Sequence, residues 1–386
     1  MAFAEHQYSI YLAGLGGEKP KLPISFAELE RRAEEAMTPE AWGYVAGAAG
    51  SEDTARANLE AFRKWRIVPR MLCDVSERDL TVELFGEDLS APLLLAPIGV
   101  QSIVHEEAEL AAARGAGEVG IPFVLSTAAT RSIEEVAEVC GDNLRWFQLY
   151  WPVDKGLTES FVRRAESSGY KAIVVTLDTV LLAWRPRDLQ NAFLPFLRGE
   201  GIAHYLSDPV FRSGLERTPE DDLQSAVLKW VQVFSDPSTT WARLEELRAL
   251  TDLPILLKGI LHPDDARAAV DAGVNGVIVS NHGGRQVDGA IGAFDALPGV
   301  VDAVPADFPV LFDSGIRSGA DAFKALAFGA RAVLLGRPYI WGLALGGAEG
   351  VTHVLRAFLA DLDLTFALSG CSSISDVSRE RLVEVG

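Results

Sequence analysis

Cysteine is scarce in this chain. The three cysteines, Cys73, Cys140 and Cys371, lie far apart and in no ligand spacing. That argues against a disulfide framework, offers no metal site, and fits a reducing compartment. Basic residues are in the minority, 35 Lys and Arg against 54 Asp and Glu, for a formal net charge of −19. A nucleic-acid or anionic-membrane binder does not suit that balance. An anionic small molecule would bind only where a few Arg and Lys override the surrounding field. Long apolar runs are missing as well: the most apolar stretch, residues 91–104 (APLLLAPIGVQSIV), is too short and too Pro-broken to span a bilayer. The opening MAFAEHQYSIYLAGL lacks the basic region of a secretory signal, so the expectation is a cytoplasmic protein with no membrane partner.

What is present is ordinary globular composition, 48% hydrophobic and 23% charged, over 386 residues. That length suits two average domains or one large α/β barrel. Eight short apolar runs bounded by Gly, Pro or Asp decide between them: Leu93–Gly99, Pro122–Ala128, Leu144–Trp151, Lys171–Thr179, Pro254–Ile260, Gly276–Gly283, Pro309–Ile316 and Ala332–Tyr339. Most are continuously apolar, as parallel strands covered on both faces require. Helix-like segments such as SIEEVAEVCGD and DDARAAVDAGV separate them, several opening on Ser, Thr or Asp and closing on Gly. The spacing predicts a single (β/α)8 TIM barrel over residues 1–386. Residues 1–90 form an N-terminal helical segment outside the barrel pattern. Residues 188–241, long and without a strand, are expected to be a lid loop inserted after the fourth strand.

The ends of these runs are polar. Ser126, Gln148, Tyr150, Thr176, Asp178, Lys258, Ser280, His282, Asp313, Arg317 and Arg337 all stand at or just beyond a strand's carboxyl end, the rim where barrels of this kind hold their chemistry. The segments DSGIRSG and LGRP place glycine amides and two guanidinium groups where a phosphate binds. In NHGGRQ a base, His282, and an anion clamp, Arg285, are three residues apart. Arg185 supplies a second planar fork for a carboxylate, and Asp178 would steady a protonated His282. Lys258 would stabilise negative charge on something planar beneath the strands. A carboxylate, a base and a cation together suggest oxidation of a hydroxy acid by a flavin.

FQLY (147–150), TLDT (176–179), LLKGI (256–260), SNHGGRQ (280–286) and DSGIRSG (313–319), in that order along nearly the whole chain from about Phe26, resemble the FMN-dependent 2-hydroxy acid oxidases and dehydrogenases. YSIYLAGLGG, GYVAGAAG, WRPRDL and PFLRG are more similar to the L-lactate 2-monooxygenase type than to the glycolate oxidase type. The resemblance implies that His282 accepts the substrate's proton with Asp178 as its partner. It implies that Arg185 and Arg285 hold the carboxylate, and that Tyr44 and Tyr150 hydrogen-bond the carboxylate or hydroxyl. FMN would contact Pro97, Ser126, Gln148, Thr176, Lys258 and Ser280, with its phosphate on Asp313, Gly315, Arg317, Gly336 and Arg337. The partners implied are a small L-2-hydroxy acid and O2, in a homotetramer or homo-octamer. In the monooxygenase type lactate becomes acetate, CO2 and water because the keto acid is held until peroxide decarboxylates it. In the oxidase alternative the keto acid and H2O2 are released.

The sequence departs from the type around the substrate's side chain. Val180, followed by Leu181 and Leu182, stands where relatives carry Trp, and Ala128 stands where they carry Trp or Leu; both changes enlarge the cavity. Gly99 matches the monooxygenase type.

Overall fold

In the computed structural model, which describes residues 3–385, eight parallel strands close into a barrel. They are β1 (Leu93–Leu95), β2 (Phe123–Ser126), β3 (Arg145–Leu149), β4 (Ile173–Thr176), β5 (Ile255–Ile260), β6 (Gly276–Val279), β7 (Val310–Phe312) and β8 (Ala332–Leu335). Each is followed by a helix: α1 (Glu109–Gly117), α2 (Ile133–Cys140), α3 (Lys155–Ser167), α4 (Arg243–Arg248), α5 (Pro263–Asp271), α6 (Ala293–Val301), α7 (Gly319–Ala327) and α8 (Arg337–Leu368). The caps expected from the sequence form: Ser132 and Glu135 make a reciprocal capping box on α2, and Asp154 caps α3.

The period-two alternation of a strand sorts its residues into an outward set under the helices and an inward set filling the barrel. Leu94, Val124, Trp146, Val174, Leu256, Ile278, Leu311 and Leu334 are the inward set, packed as a cluster of their own. A hairpin, Val82–Leu84 with Glu87–Leu89, adds Leu84 and Leu89 to that cluster and leans Phe85 on Trp146, centroids 5.8 Å apart. It plugs the amino-terminal end of the barrel. Two residues further on, the same inward register holds Ala96, Ser126, Gln148, Thr176, Lys258, Ser280, Asp313 and Gly336. The pairing of Ser126 with Gln148 and of Thr176 with Lys258 fixes this register. The barrel therefore changes from apolar to polar in one step, at its carboxyl end.

The N-terminal region is helical over Glu5–Leu15, Phe26–Ala36, Pro39–Ala46 and Asp53–Arg63. Beyond Arg63 it departs from the helical expectation: Trp65–Ile67 pairs with Leu382–Glu384 near the other end of the chain, and the hairpin follows. The expected lid resolves into short helices: Pro186–Gln190, Pro195–Arg198, Ala203–Leu206, Pro209–Ser213 and Leu223–Val233. Its Phe196, Ile202, Tyr205, Phe211 and Trp230 are buried in the main core. Arg164 on α3 bonds Asp208 at 3.0 Å and Glu134 at 2.8 Å, tying the segment to the barrel wall. This is a packed cover rather than a loose loop. Among the described residues no helix is long and apolar enough to cross a membrane.

Candidate active site

A cleft opens at the carboxyl end of the barrel. His282 and Asp178 meet on its rim, four residues past Ile278 and Val174 in the inward register. His282 Nδ1 lies 2.7 Å from Asp178 Oδ1, and Thr179 Oγ1 donates to the same carboxylate oxygen at 2.8 Å. Room for the carboxylate comes from Gly259, at φ +105° in a register shift of β5, where a Cβ would stand 3.0 Å from Asp178 Oδ2. His282 itself is at φ +59°, a costly conformation for a residue with a side chain. The turn is held there by Asn281, whose Oδ1 accepts from Gly284 N–H at 3.1 Å and whose amide pairs reciprocally with Asn58. Burial pushes the His282 imidazole below its ordinary value, against the pull of Asp178. Burial also pushes Asp178 up, but His282 and Lys258 outweigh it and hold the carboxyl at about 2. At neutral pH the pair is a neutral imidazole with its proton on Nδ1, facing a carboxylate, and a bare Nε2 able to take a proton.

Arg185 and Arg285 flank this base. Arg185 Nε donates to the backbone carbonyl of Arg285 at 3.1 Å, and its Nη2 donates to Gln286 Oε1 at 2.6 Å. Arg285 Nη1 donates to the carbonyls of Tyr44 and Gly47, and its guanidinium lies over the Tyr44 ring, 5.0 Å from the centroid. Burial and the neighbouring Arg185 push Arg285 down to about 10. Asp188 lies near both, but burial pushes its carboxyl up and it forms no ion pair with them. A buried Arg185 and a half-buried Arg285, their side chains bonded to neutral oxygens, make a site for an anion. Burial pushes the Tyr44 and Tyr150 hydroxyls up, so both stay protonated as hydrogen-bond donors.

Below the rim lies the polar layer. Lys258 Nζ bonds Ser280 Oγ at 2.8 Å and Asp313 at 3.0 Å. Burial opposes its charge, but Asp313 and Asp178 outweigh burial and raise it. Gln148 Oε1 accepts from Ser126 Oγ at 3.0 Å and from Thr127 N–H at 3.2 Å, while its Nε2 is buried without a partner. That orphaned donor needs an acceptor from outside the chain. At the far end Arg337 donates to the carbonyls of Val45, Gly283 and Gly47 at 2.9–3.1 Å, and Arg317 lies over Trp341 at 5.0 Å. Neither has a carboxylate partner among the described residues. Arg337 is pushed down to about 9 by burial and by Arg285 and Arg317. The start of α8, with Gly336 open to the cleft, completes a phosphate-binding geometry.

Of the residues expected from the sequence, Tyr44, Pro97, Tyr150, Arg185, Lys258, His282, Arg285, Asp313, Gly315, Arg317, Gly336 and Arg337 line the cleft. Ser126, Gln148, Thr176 and Ser280 are buried behind that surface, and Asp178 touches it through His282. Ile98, which follows Leu94 and Ala96 in the inward register, also lines the cleft without an expected role, as do Thr179, Phe196 and Phe234. Gln286, likewise without an expected role, donates from Nε2 to the Asp178 carbonyl at 2.7 Å. Gln286 thus ties the segment bearing Asp178 to Arg185. Phe196 lies in the PFLRG motif, which pointed to the cover but not to the cleft, and Phe234 carried no sequence signal. Gly99 and Ala128 meet across the cleft so closely that a Cβ on Gly99 would lie 2.7 Å from that of Ala128.

The orphaned Gln148 amide and the guanidinium groups of Arg317 and Arg337, which have no carboxylate partner among the described residues, fit a planar cofactor with a phosphate. Residues 33–384 match the model of the FMN-dependent dehydrogenase family. The chain is 46% identical to an L-lactate oxidase of Lysinibacillus sphaericus, over 94% of this chain and 93% of that one. It is 44% identical to an FMN-dependent alpha-hydroxy acid dehydrogenase of Penicillium citrinum, over 98% and 95%. Among solved structures it resembles a mandelate oxidase with a TM-score of 0.83 at 38% identity, covering 94% of this chain and 98% of that one.

Proposed function

The chain belongs to the FMN-dependent dehydrogenase family, and from that premise we propose that it oxidises a small L-2-hydroxy acid with O2 at the rim of this cleft. It is an oxidoreductase with FMN as its cofactor. The observation that carries the substrate reading is the pair of adjacent, carboxylate-free guanidinium groups of Arg185 and Arg285 beside a neutral His282. The substrate carboxylate lies against the two forks, with the Tyr44 and Tyr150 hydroxyls donating to carboxylate or hydroxyl. His282 Nε2 takes the proton that leaves the substrate as C2 is oxidised, and Asp178 steadies the imidazolium. FMN, when bound, would accept the electron pair together with the second hydrogen lost from the substrate. Ser126, Gln148, Thr176, Ser280 and Pro97 hold its ring, Lys258 favours negative charge there, and Asp313, Gly315, Arg317, Gly336 and Arg337 hold its phosphate.

For the fate of the product, we propose the lactate 2-monooxygenase outcome: the keto acid stays under the packed cover and leaves as a shortened acid with CO2 and water. The buried Phe196 and Trp230, which fix the cover over the cleft, support it. A second reading, release of keto acid and H2O2, is favoured by the L-lactate oxidases of Lysinibacillus sphaericus and of Nostoc at 46% and 45% identity. Anaerobic mixing with L-lactate should bleach the flavin. With O2, acetate and CO2 in equal amounts support the first outcome, and pyruvate with H2O2 the second. A flavin that no 2-hydroxy acid bleaches rejects both.

A further inference from the structure

Among the buried titratable groups of the cover that this chemistry does not use, one stands against the barrel wall. His204, on the short helix Ala203–Leu206, is fully buried and stands edge-on to Phe147 and Phe161, with ring centroids 5.6 and 6.4 Å away. Its Nε2 is 3.0 Å from the backbone carbonyl of Ser126, and its Nδ1 is buried without a partner. A carbonyl only accepts, so the ring proton is on Nε2 and Nδ1 is bare. Burial pushes this imidazole down to about 3, so it stays neutral and takes no part in proton transfer. A phenylalanine would fill the same aromatic pocket without stranding a nitrogen. Packing alone does not explain an imidazole here. The hydrogen bond to Ser126 does.

We propose that His204 is a positioning residue for the FMN-facing wall, acting through the turn Ser126–Thr130. Two bonds from the cover bracket that turn: His204 Nε2–H to the Ser126 carbonyl, and Ala203 N–H to the Ala129 carbonyl at 3.2 Å. Between them Ala128 lines the cleft and gives its carbonyl to Val100 N–H at 2.8 Å. From the other side Glu109 Oε1 accepts Thr130 N–H at 3.1 Å. The turn in turn sets Gln148. Thr127 N–H can only donate, so the Gln148 atom that accepts it is the amide oxygen, and Nε2 is the group left facing the barrel interior. His204 thus fixes, two bonds away, both the direction of that free amide and the position of Ala128. The inference rests on Gln148 being an FMN contact, and the test separates the two.

Holoenzyme variants His204→Phe, His204→Asn and Gln148→Leu are compared for FMN release on dilution, read by flavin fluorescence, for the flavin absorption spectrum, and for thermal unfolding. His204→Phe keeps the volume and loses the donor. It is expected to release FMN about tenfold more readily, the worth of one hydrogen bond, with a displaced spectrum and an unfolding temperature lowered by no more than the weaker FMN binding accounts for. His204→Asn, whose amide can donate to Ser126, is expected to lie closer to wild type. His204→Met replaces the Phe variant if that one does not fold. If Gln148→Leu loosens FMN while His204→Phe keeps wild-type release and spectrum, the role of His204 is overturned. Wild-type FMN release in Gln148→Leu overturns the reading of Gln148, and the role of His204 with it.

Discussion

Arg185 Nε donates to the backbone carbonyl of Arg285 at 3.1 Å, so the chain itself holds the two guanidinium groups side by side. Two like charges kept together in a buried place repel each other until an anion arrives. The arrangement needs Arg rather than Lys, because Arg185 spends one edge of its fork on Arg285 and Gln286 and keeps the rest for the ligand. Arg185→Lys is therefore expected to weaken substrate binding nearly as much as Arg185→Met. Losing one bond of a buried charge pair costs about 2–5 kcal/mol. Flavin reduction measured against substrate concentration checks this: normal reduction at low substrate in Arg185→Lys would remove Arg185 from the clamp.

His282 must be neutral to take a proton. Its value is lowered by burial, so the acid limb of the kcat/KM profile should lie below the ordinary imidazole value near pH 6.5 and not above it. Asp178 pulls that value up, so Asp178→Asn should move the limb to still lower pH while slowing reduction, because the Nδ1 tautomer is no longer fixed. His282→Gln should retain FMN and lose roughly 10²–10⁴-fold in reduction rate, a typical worth of a general base. Stopped-flow reduction between pH 5 and 9 measures all three effects. A limb that stays put in Asp178→Asn contradicts the coupling.

The strand ends were legible because each continuously apolar run breaks off into polar residues at its carboxyl end. Which face those residues take emerges only from the pairing, which puts Ser126, Gln148, Thr176, Lys258 and Ser280 inward, two residues beyond Val124, Trp146, Val174, Leu256 and Ile278. The barrel was legible from the runs themselves: eight runs buried on both faces leave few other closures. The cover was not. Phe196 and Phe234 reach the cleft through tertiary packing on Trp230 that no local pattern encodes. The left-handed turn at His282 was equally hidden, since it depends on Asn58 in a distant helix. The hairpin that plugs the barrel was hidden too, because its three-residue strands are too short to show a period.

Glu109 is fully buried, and burial raises its carboxyl to about 7. A raised acid contributes its stability below the unfolded value near 4.5 and loses it as pH rises towards about 7. Glu109→Gln keeps an oxygen for the Gln101 and Thr130 N–H groups and cannot ionise. The variant is expected to be more stable than wild type at pH 8, by an amount on the order of 3 kcal/mol, with the gap closing below pH 4.5. Urea unfolding at the two pH values reads it. A gap that does not change with pH refutes the ionisation argument.

Which element decides whether the keto acid escapes before it is decarboxylated follows from where the cover is anchored. Residues 200–235 bury Ile202, Tyr205, Phe211 and Trp230 in the main core, so cutting them away would damage the fold rather than open a gate. The run Val180–Trp184 is different: Val180, Leu181, Leu182 and Trp184 are all exposed, and Leu182 also lines the cleft. Ser235 Oγ and Gln286 Nε2 donate to the carbonyls of Val180 and Leu181 at 3.0 and 3.3 Å and Gly50 N–H donates to that of Trp184 at 3.0 Å, while among the described residues Leu182 and Ala183 make no hydrogen bond. An apolar strand of chain so lightly held at the mouth is the part that can move, and release must be slower than decarboxylation for the product to be shortened. Leu182→Ala is expected to widen the mouth and shift the products towards keto acid and H2O2. A substrate with a bulkier side chain should restore retention by filling the space left beside Ala128. The measurement is H2O2 and CO2 formed per O2 consumed, with L-lactate and with a longer 2-hydroxy acid, for wild type and variant. If both proteins give the same ratios with both acids, residues 180–184 are not the gate.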